Sequence, residues 1–241
     1  MPQLAPIVAE PAADTEPPGN PWRPSEYTGL MIQALETQAS RLVRGSVLEI
    51  GTGSGILLGT LAQLGADRLT GTDIEPSALV EAASLLGRLG HAAELLLGDL
   101  WAPVEGRRFD LIIANPPTFP ARVPHYPGRL PSWSDGGPDG WRFFAPFLEG
   151  LATHLAPGGR AVVQHSGLLG LDATARLLAR HGLAMRCLAS SLMPVAPEKR
   201  AVLNPDVLAR AEPRGVRLIG DHLLLAADIL EIGAADSLGG A

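Results

Sequence analysis

The chain has 241 residues, 46% of them hydrophobic, and a formal net charge of −6. That length predicts one domain with a substantial core, and the acid excess with scattered arginines argues against a broad nucleic-acid surface. The single cysteine, Cys187, excludes an internal disulfide and a cysteine-based zinc site.

Residues 1–20 are rich in Pro, Ala and acids and read as a disordered tail before one domain over 21–241. From Tyr27 to Leu42, Leu30, Met31, Ala34 and Leu35 share one face at helical spacing, which predicts a short helical lead-in. Val47-Leu48-Glu49-Ile50 reads as an apolar strand over 46–50. It runs into Gly51-Thr52-Gly53-Ser54-Gly55, after which Ile56, Leu57, Leu58 and Leu61 begin a helix over 55–64. Glycines let backbone amides approach a ligand closely, and a helix N-terminus presents free N–H groups. A strand over 68–74 brings an acid, Asp73, eighteen residues beyond Gly55. An acid in that position can bind both hydroxyls of a ribose. A glycine loop followed by an acid equally fits a nicotinamide-dependent oxidoreductase. Asp73 and Asp99 also read as ordinary strand-end acids.

A helix over 77–89 and strands over 93–98 and 109–114 follow. The last strand meets Asn115-Pro116-Pro117-Thr118. Each proline lacks a donor and fixes φ, and the residue before each is held extended. The chain therefore leaves a buried strand in a stiff shape, with an amide at Asn115 that both donates and accepts. Residues 118–140 contain five prolines and no periodicity, which reads as a substrate lid. Phe144, Phe147, Leu148, Leu151 and Leu155 mark a core-facing helix over 141–155. Pro157-Gly158-Gly159 is a stop and turn before a strand over 160–165 and a helix over 171–181. Met185 to Val195 and Val216 to Leu230 are strand-like, around a loop with Pro197, Glu198, Lys199 and Pro205. Strands alternating with helices argue for a parallel sheet covered on both faces. The six histidines have no metal-ligand spacing, so no metal is expected; His165, at a strand end, is a further site candidate. Neither a leader signal nor a long uncharged apolar run is present, so a cytoplasmic protein with no membrane partner is expected.

Taken in order, VLEIGTGSG, LTGTDIEPSAL, LLLGDLW, FDLIIANPPT, DGGPDGWRFF and LAPGGRAVV resemble class I S-adenosylmethionine-dependent methyltransferases with an Asn-Pro-Pro motif. The segment Asp135 to Gly140 and the lead-in Pro24 to Thr28 are most similar to the release-factor glutamine methyltransferases. The resemblance implies an α/β fold: a Rossmann-like, doubly wound, mostly parallel seven-stranded sheet with an antiparallel C-terminal strand. It implies S-adenosyl-L-methionine as cofactor. Glu49 would lie near the methionine amino group, Gly51, Thr52, Gly53 and Gly55 around the methionine moiety, Asp73 and Ile74 at the ribose, and Asp99 and Leu100 at the adenine. Asn115 would border the cofactor and, with the Pro116 carbonyl, accept the N–H groups of the target nitrogen. Family members place an aromatic after the second proline; here Thr118 holds that place and Phe119 follows. Pro117, Thr118, Phe119, His125 and Tyr126 are then the expected acceptor contacts. The lead-in of about forty residues is too short for the helical recognition domain that release-factor enzymes carry there.

The function expected is N-methylation of a planar amide or amine on a protein, peptide or small molecule. The alternatives are methylation of an adenine or guanine amine in RNA or DNA, hydride transfer with a nicotinamide, and a non-catalytic binder of the same cofactor. Nucleic acid is the weaker partner because no basic stripe is present. The sequence fixes no oligomeric state.

Overall fold

The computed structural model describes residues 24–121 and 136–238. Its elements are α1 (Glu26–Thr37), α2 (Ala39–Leu42), β1 (Ser46–Ile50), α3 (Ile56–Gln63), β2 (Arg68–Asp73), α4 (Pro76–Arg88), β3 (Glu94–Leu97), a 3₁₀ turn (Ala102–Val104), β4 (Phe109–Ala114), α5 (Phe144–His154), β5 (Leu155–Ser166), α6 (Leu171–Ala179), β6 (Leu183–Pro194), α7 (Pro197–Val202), α8 (Pro205–Arg210), β7 (Val216–Ile219), β8 (His222–Ala234) and α9 (Ala235–Leu238). The strands lie in the order β3-β2-β1-β4-β5-β8-β6, with β7 beside β8. Neighbours from β3 to β5 are parallel, and β8 runs antiparallel to β5, β6 and β7. This is the α/β, Rossmann-like, mostly parallel sheet that the alternation of elements and the family resemblance together imply.

The sheet has eight strands and not seven. The stretch expected to be one strand from Val216 folds back at Gly220-Asp221, where Gly220 takes φ 57, and Ile219 pairs with His222. A two-residue turn with positive φ suits a tight hairpin. The lead-in helix likewise breaks at Gln38 into α1 and α2. Arg41, just beyond the break, donates to Gln38 and, through Nη2 at 2.8 Å, to the fully buried Glu231 of β8. A tertiary ion pair thus overrides local helical spacing. Burial alone would raise the Glu231 carboxyl, but hydrogen bonds from Arg41 and Arg186 outweigh it and hold it below the usual carboxylate range.

β1 and β4 are apolar on both faces because helices cover both. On one side Met31, Leu35, Leu58, Leu61 and Leu86 from α1, α3 and α4 pack on Val47, Leu111 and Ile113. On the other, Phe144, Phe147, Leu148 and Leu151 of α5 pack on Leu48, Ile50, Ile112 and Val163. Each such buried side chain contributes about 1.5–3 kcal/mol relative to exposure. A third, smaller cluster joins Leu203 of α7–α8 to Leu223 and Leu225 of β8, with Phe119 against it. Among the described residues no helix is long and apolar enough to cross a membrane. The proposed tail over 1–20 lies outside the described residues.

Candidate active site

The parallel strands end along one edge, and a cavity of about 550 Å³ opens there beneath the start of α1. Open α/β sheets bind ligands at that edge. Glu49, Gly51, Thr52, Gly53, Asp73, Ile74, Asp99, Leu100, Asn115, Pro116, Pro117, Thr118 and Phe119 all line it. Gly55 does not. A Cβ there would stand 2.8 Å from Ala82, and its φ is +76, so this glycine lets α3 lie close on α4. His125 and Tyr126 lie outside the described residues.

The half of the cavity over β1, β2 and β3 is a network of carboxylates tied to backbone. Glu49, 2% exposed, accepts from the Thr52 hydroxyl at 2.8 Å and the Leu58 amide at 3.2 Å. Burial, and secondarily the nearby Asp73, push its carboxyl up to about 8 against the lowering effect of those hydrogen bonds. A cationic ligand group beside it would reverse that cost. Asp73 accepts from the Gly53 amide at 2.8 Å and the Glu75 amide at 2.9 Å, so it fixes the glycine loop while presenting its remaining lone pairs to the cavity. Burial raises its carboxyl too. Beyond β3, Leu100 is the only non-glycine with positive φ among the described residues, at 45. Trp101 anchors that turn, stacking on His154 at 4.3 Å and Phe147 at 5.5 Å and donating to the Pro146 carbonyl at 3.1 Å.

The half over β4 and β5 is assembled from distant segments. Asn115 donates its Nδ2 to Thr28 Oγ1 at 3.2 Å, across 87 residues of sequence. That bond orients the amide and leaves Oδ1 to accept from whatever enters. Thr118 is buried and Phe119 half-buried. Segment 136–140 braces both: a Cβ on Gly136 would meet the Phe119 backbone at 2.8 Å, and one on Gly140, with φ +87, would meet the Thr118 carbonyl at 2.6 Å. Asn204 pins the same loop from the other side, its N–H on the Pro120 carbonyl at 2.9 Å and its Nδ2 on the Pro138 carbonyl at 2.6 Å. α7 places the Lys199 ammonium 5.7 Å from the Phe119 ring centre and 5.9 Å from that of Tyr27. Arg142, Phe143, Gln164, Ser166 and Lys199 also line this half. Arg142 and Phe143 fall in the DGGPDGWRFF segment; no local motif marks Gln164, Ser166 or Lys199 in the sequence.

His165 is not part of the cavity. It is fully buried on the opposite face of the sheet, 3.0 Å from Thr174 Oγ1 and edge-on to Phe144. Burial drives its imidazole down to about 4, against the opposing pull of Asp228. Among the described residues no cluster of His, Cys, Asp or Glu could hold a metal ion.

Residues 26–123 match the methyltransferase small domain family. The chain is 37% identical over 144 residues to the release factor glutamine methyltransferase of Moorella thermoacetica, covering 56% of this chain and 51% of that one. Over 185 residues it is 29% identical to a candidate protein N5-glutamine methyltransferase of Methanocaldococcus jannaschii, covering 76% of this chain and 90% of the other. The chain spans about half the length of the curated release-factor relatives it matches. Among solved structures, Mtq2 in its E. cuniculi complex with Trm112 superposes with a TM-score of 0.57 at 19% identity, over 88% of this chain and 98% of that one. The T. thermophilus 16S rRNA N2 G1207 methyltransferase RsmC, solved with AdoMet and guanosine, gives 0.52 at 21% identity, over 86% of this chain and 43% of that one. At those identities the likeness concerns the fold. In sequence the chain is thus similar to class I S-adenosylmethionine-dependent methyltransferases, and within them to release-factor glutamine methyltransferases.

Proposed function

We propose that this chain is an S-adenosylmethionine-dependent N-methyltransferase whose acceptor is a side-chain amide of a protein or peptide. The observation that carries the reading is Asn115: its nitrogen is engaged by Thr28, and its free oxygen stands in the same cavity as the glycine loop, Glu49 and Asp73. The similarity to glutamine methyltransferases supports the choice of an amide.

The residues present suit the cofactor. Glu49, with the Gly51–Gly53 backbone, would hold its methionine end, Asp73 with Ile74 its ribose, and Asp99 with Leu100 its adenine. When bound, the cofactor supplies a methyl group on a sulfonium, so the protein's part is orientation. An amide nitrogen is a poor nucleophile because its lone pair is delocalised. Asn115 Oδ1 and the Pro116 carbonyl would accept its two N–H groups and hold the nitrogen facing the methyl, at a near-attack distance of roughly 3–3.5 Å. The double proline keeps both acceptors in place, and Gly136, Gly140 and Asn204 brace the loop that follows. Lys199 covers a face of Phe119, the ring on which a flipped base would otherwise stack.

The test is incubation with methyl-labelled S-adenosylmethionine and, in parallel, a protein and peptide extract, cellular RNA and duplex DNA. Label should enter protein and be released by acid hydrolysis as methylamine, as an N-methylated side-chain amide requires. Label in RNA or DNA alone would overturn the acceptor. Binding of NAD without binding of S-adenosylmethionine would overturn the cofactor.

A further inference from the structure

We infer that Gln164 reads the carbonyl oxygen of the acceptor, so that the pocket selects a neutral carboxamide, which carries a carbonyl and N–H groups together. The inference rests on the methyl-transfer reading above. Ala114 of β4 lies opposite Val163 of β5, so the next residues along these parallel strands are Asn115 and Gln164, side by side at the cavity edge. Side chains alternate between sheet faces. Ala114 and Val163 belong to the core on the α5 side. Asn115 and Gln164 therefore turn to the other face, where Asn115 meets Thr28 of α1.

Gln164 is 3% exposed, lines the cavity, and has no hydrogen-bond partner for its side-chain amide among the described residues. Its amide opens on the cavity and is held by no hydrogen bond of the described residues, so no internal contact accounts for a glutamine at this position. An occupant of the cavity does. Asn115, its amide oriented by the one N–H given to Thr28, presents its oxygen as an acceptor. Gln164 offers a donor as well. A carboxamide satisfies both: its N–H groups on Asn115 and its carbonyl on Gln164 Nε2. An ammonium has no acceptor for that donor, and a carboxylate has no N–H for Asn115. A purine amine beside a ring nitrogen presents the same pair and is the rival that the adenosine arm of the experiment tests.

The experiment measures methyl transfer to a short peptide with one internal glutamine, to the same peptide with glutamate or lysine in its place, and to adenosine. Gln164→Leu should lower kcat/KM on the glutamine peptide by at least about tenfold, the scale of one lost buried hydrogen bond, with S-adenosylhomocysteine affinity held within about twofold. Its Tm should stay level or rise, because no internal hydrogen bond is removed. Gln164→Glu, which loses the donor and gains charge, should shift preference from the glutamine peptide toward the lysine peptide. Wild-type kcat/KM in Gln164→Leu would overturn the inference and leave the methyltransferase reading standing. A lowered Tm accompanying lost activity would make Gln164 structural and overturn it too. Preference of the unaltered protein for lysine or adenosine would overturn both readings. Independently of turnover, the Gln164 side-chain amide resonance of the protein saturated with S-adenosylhomocysteine should shift on adding propionamide and not propylammonium. No shift with propionamide would also overturn the inference.

Discussion

Asn115 and Asp73 are each used twice, and their substitutions should therefore separate two kinds of loss. The Asn115 side chain donates to Thr28 and lines the cavity, and among the described residues none of its hydrogen bonds goes to the β1–β3 half. Asn115→Ala should leave S-adenosylhomocysteine affinity near wild type, measured by calorimetry, and lower turnover by about a hundredfold, the scale of a misplaced reacting atom. Thr28→Val removes the acceptor that orients Asn115 and should lower turnover in the same direction by less. Asp73 holds the Gly53 and Glu75 amides as well as the proposed ribose contact. Asp73→Ala should weaken S-adenosylhomocysteine by about 1.5–3 kcal/mol, as for hydrogen bonds to a charged group. Unchanged affinity in that variant would remove Asp73 from the cofactor contacts. Asn115 was legible in the sequence because two prolines announce it. Gln164 and Lys199 were not, since a polar residue in an apolar strand or a lysine in a proline-flanked loop has no local signature. His165 misled because strand-end position says nothing of which sheet face a side chain takes.

At the scale of elements, periodicity located the strands and helices over 46–114 to within a residue or so of their observed ends. Apolar strands buried on both faces leave an unbroken signal, and glycines or prolines punctuate it. Three features escaped. The hairpin of β7 and β8 hid in one apolar run, because the only mark of its turn is Gly220-Asp221. The break between α1 and α2 coincides with Arg41 reaching Glu231, 190 residues away. The proline-containing stretch between β6 and β7 is two short helices, each with a proline in its first turn, where the missing N–H does no harm. Segment 136–140 tests how elements cooperate. Gly140→Ala must displace the Thr118 carbonyl and occupy φ +87. Together these should destabilise by roughly 1–3 kcal/mol and disturb the loop after Asn115. Turnover should fall while S-adenosylhomocysteine affinity stays, because β1–β3 are untouched; equal losses in both would show that the brace serves the whole edge.

For the molecule as a whole, two buried groups with large opposite shifts, His165 and Glu49, lead the pH dependence of the ligand-free state. His165 has a folded value near 4 against an ordinary 6.5, so its contribution is present above pH 6.5 and lost as pH falls toward 4. Glu49 is raised from 4.5 to about 8, so its contribution is present below 4.5 and lost as pH rises toward 8. The two slopes oppose each other between 4.5 and 6.5, and of the two only Glu49 acts above 6.5. Tm of the ligand-free protein should be level across that lower range and decline from pH 6.5 to 8, by roughly 2 kcal/mol in stability. Glu49→Gln should abolish the alkaline decline, and so should saturating S-adenosylhomocysteine if its ammonium pairs with Glu49. Near pH 7 that pairing should release protons, which calorimetry in buffers of different ionisation heat would count. A flat profile in both ligand-free and bound protein would contradict the buried, neutral Glu49. The cavity has a further consequence for descent. The family match ends at residue 123, before Gly136, Gly140, Gln164, Lys199 and Asn204 are reached. That match takes in the half that would grip the methyl donor, written in one continuous stretch, together with the Asn115–Phe119 rim of the other half. The rest of the recipient side is scattered through later segments joined by a few hydrogen bonds, so substitutions there would alter the choice of recipient while leaving the donor side untouched.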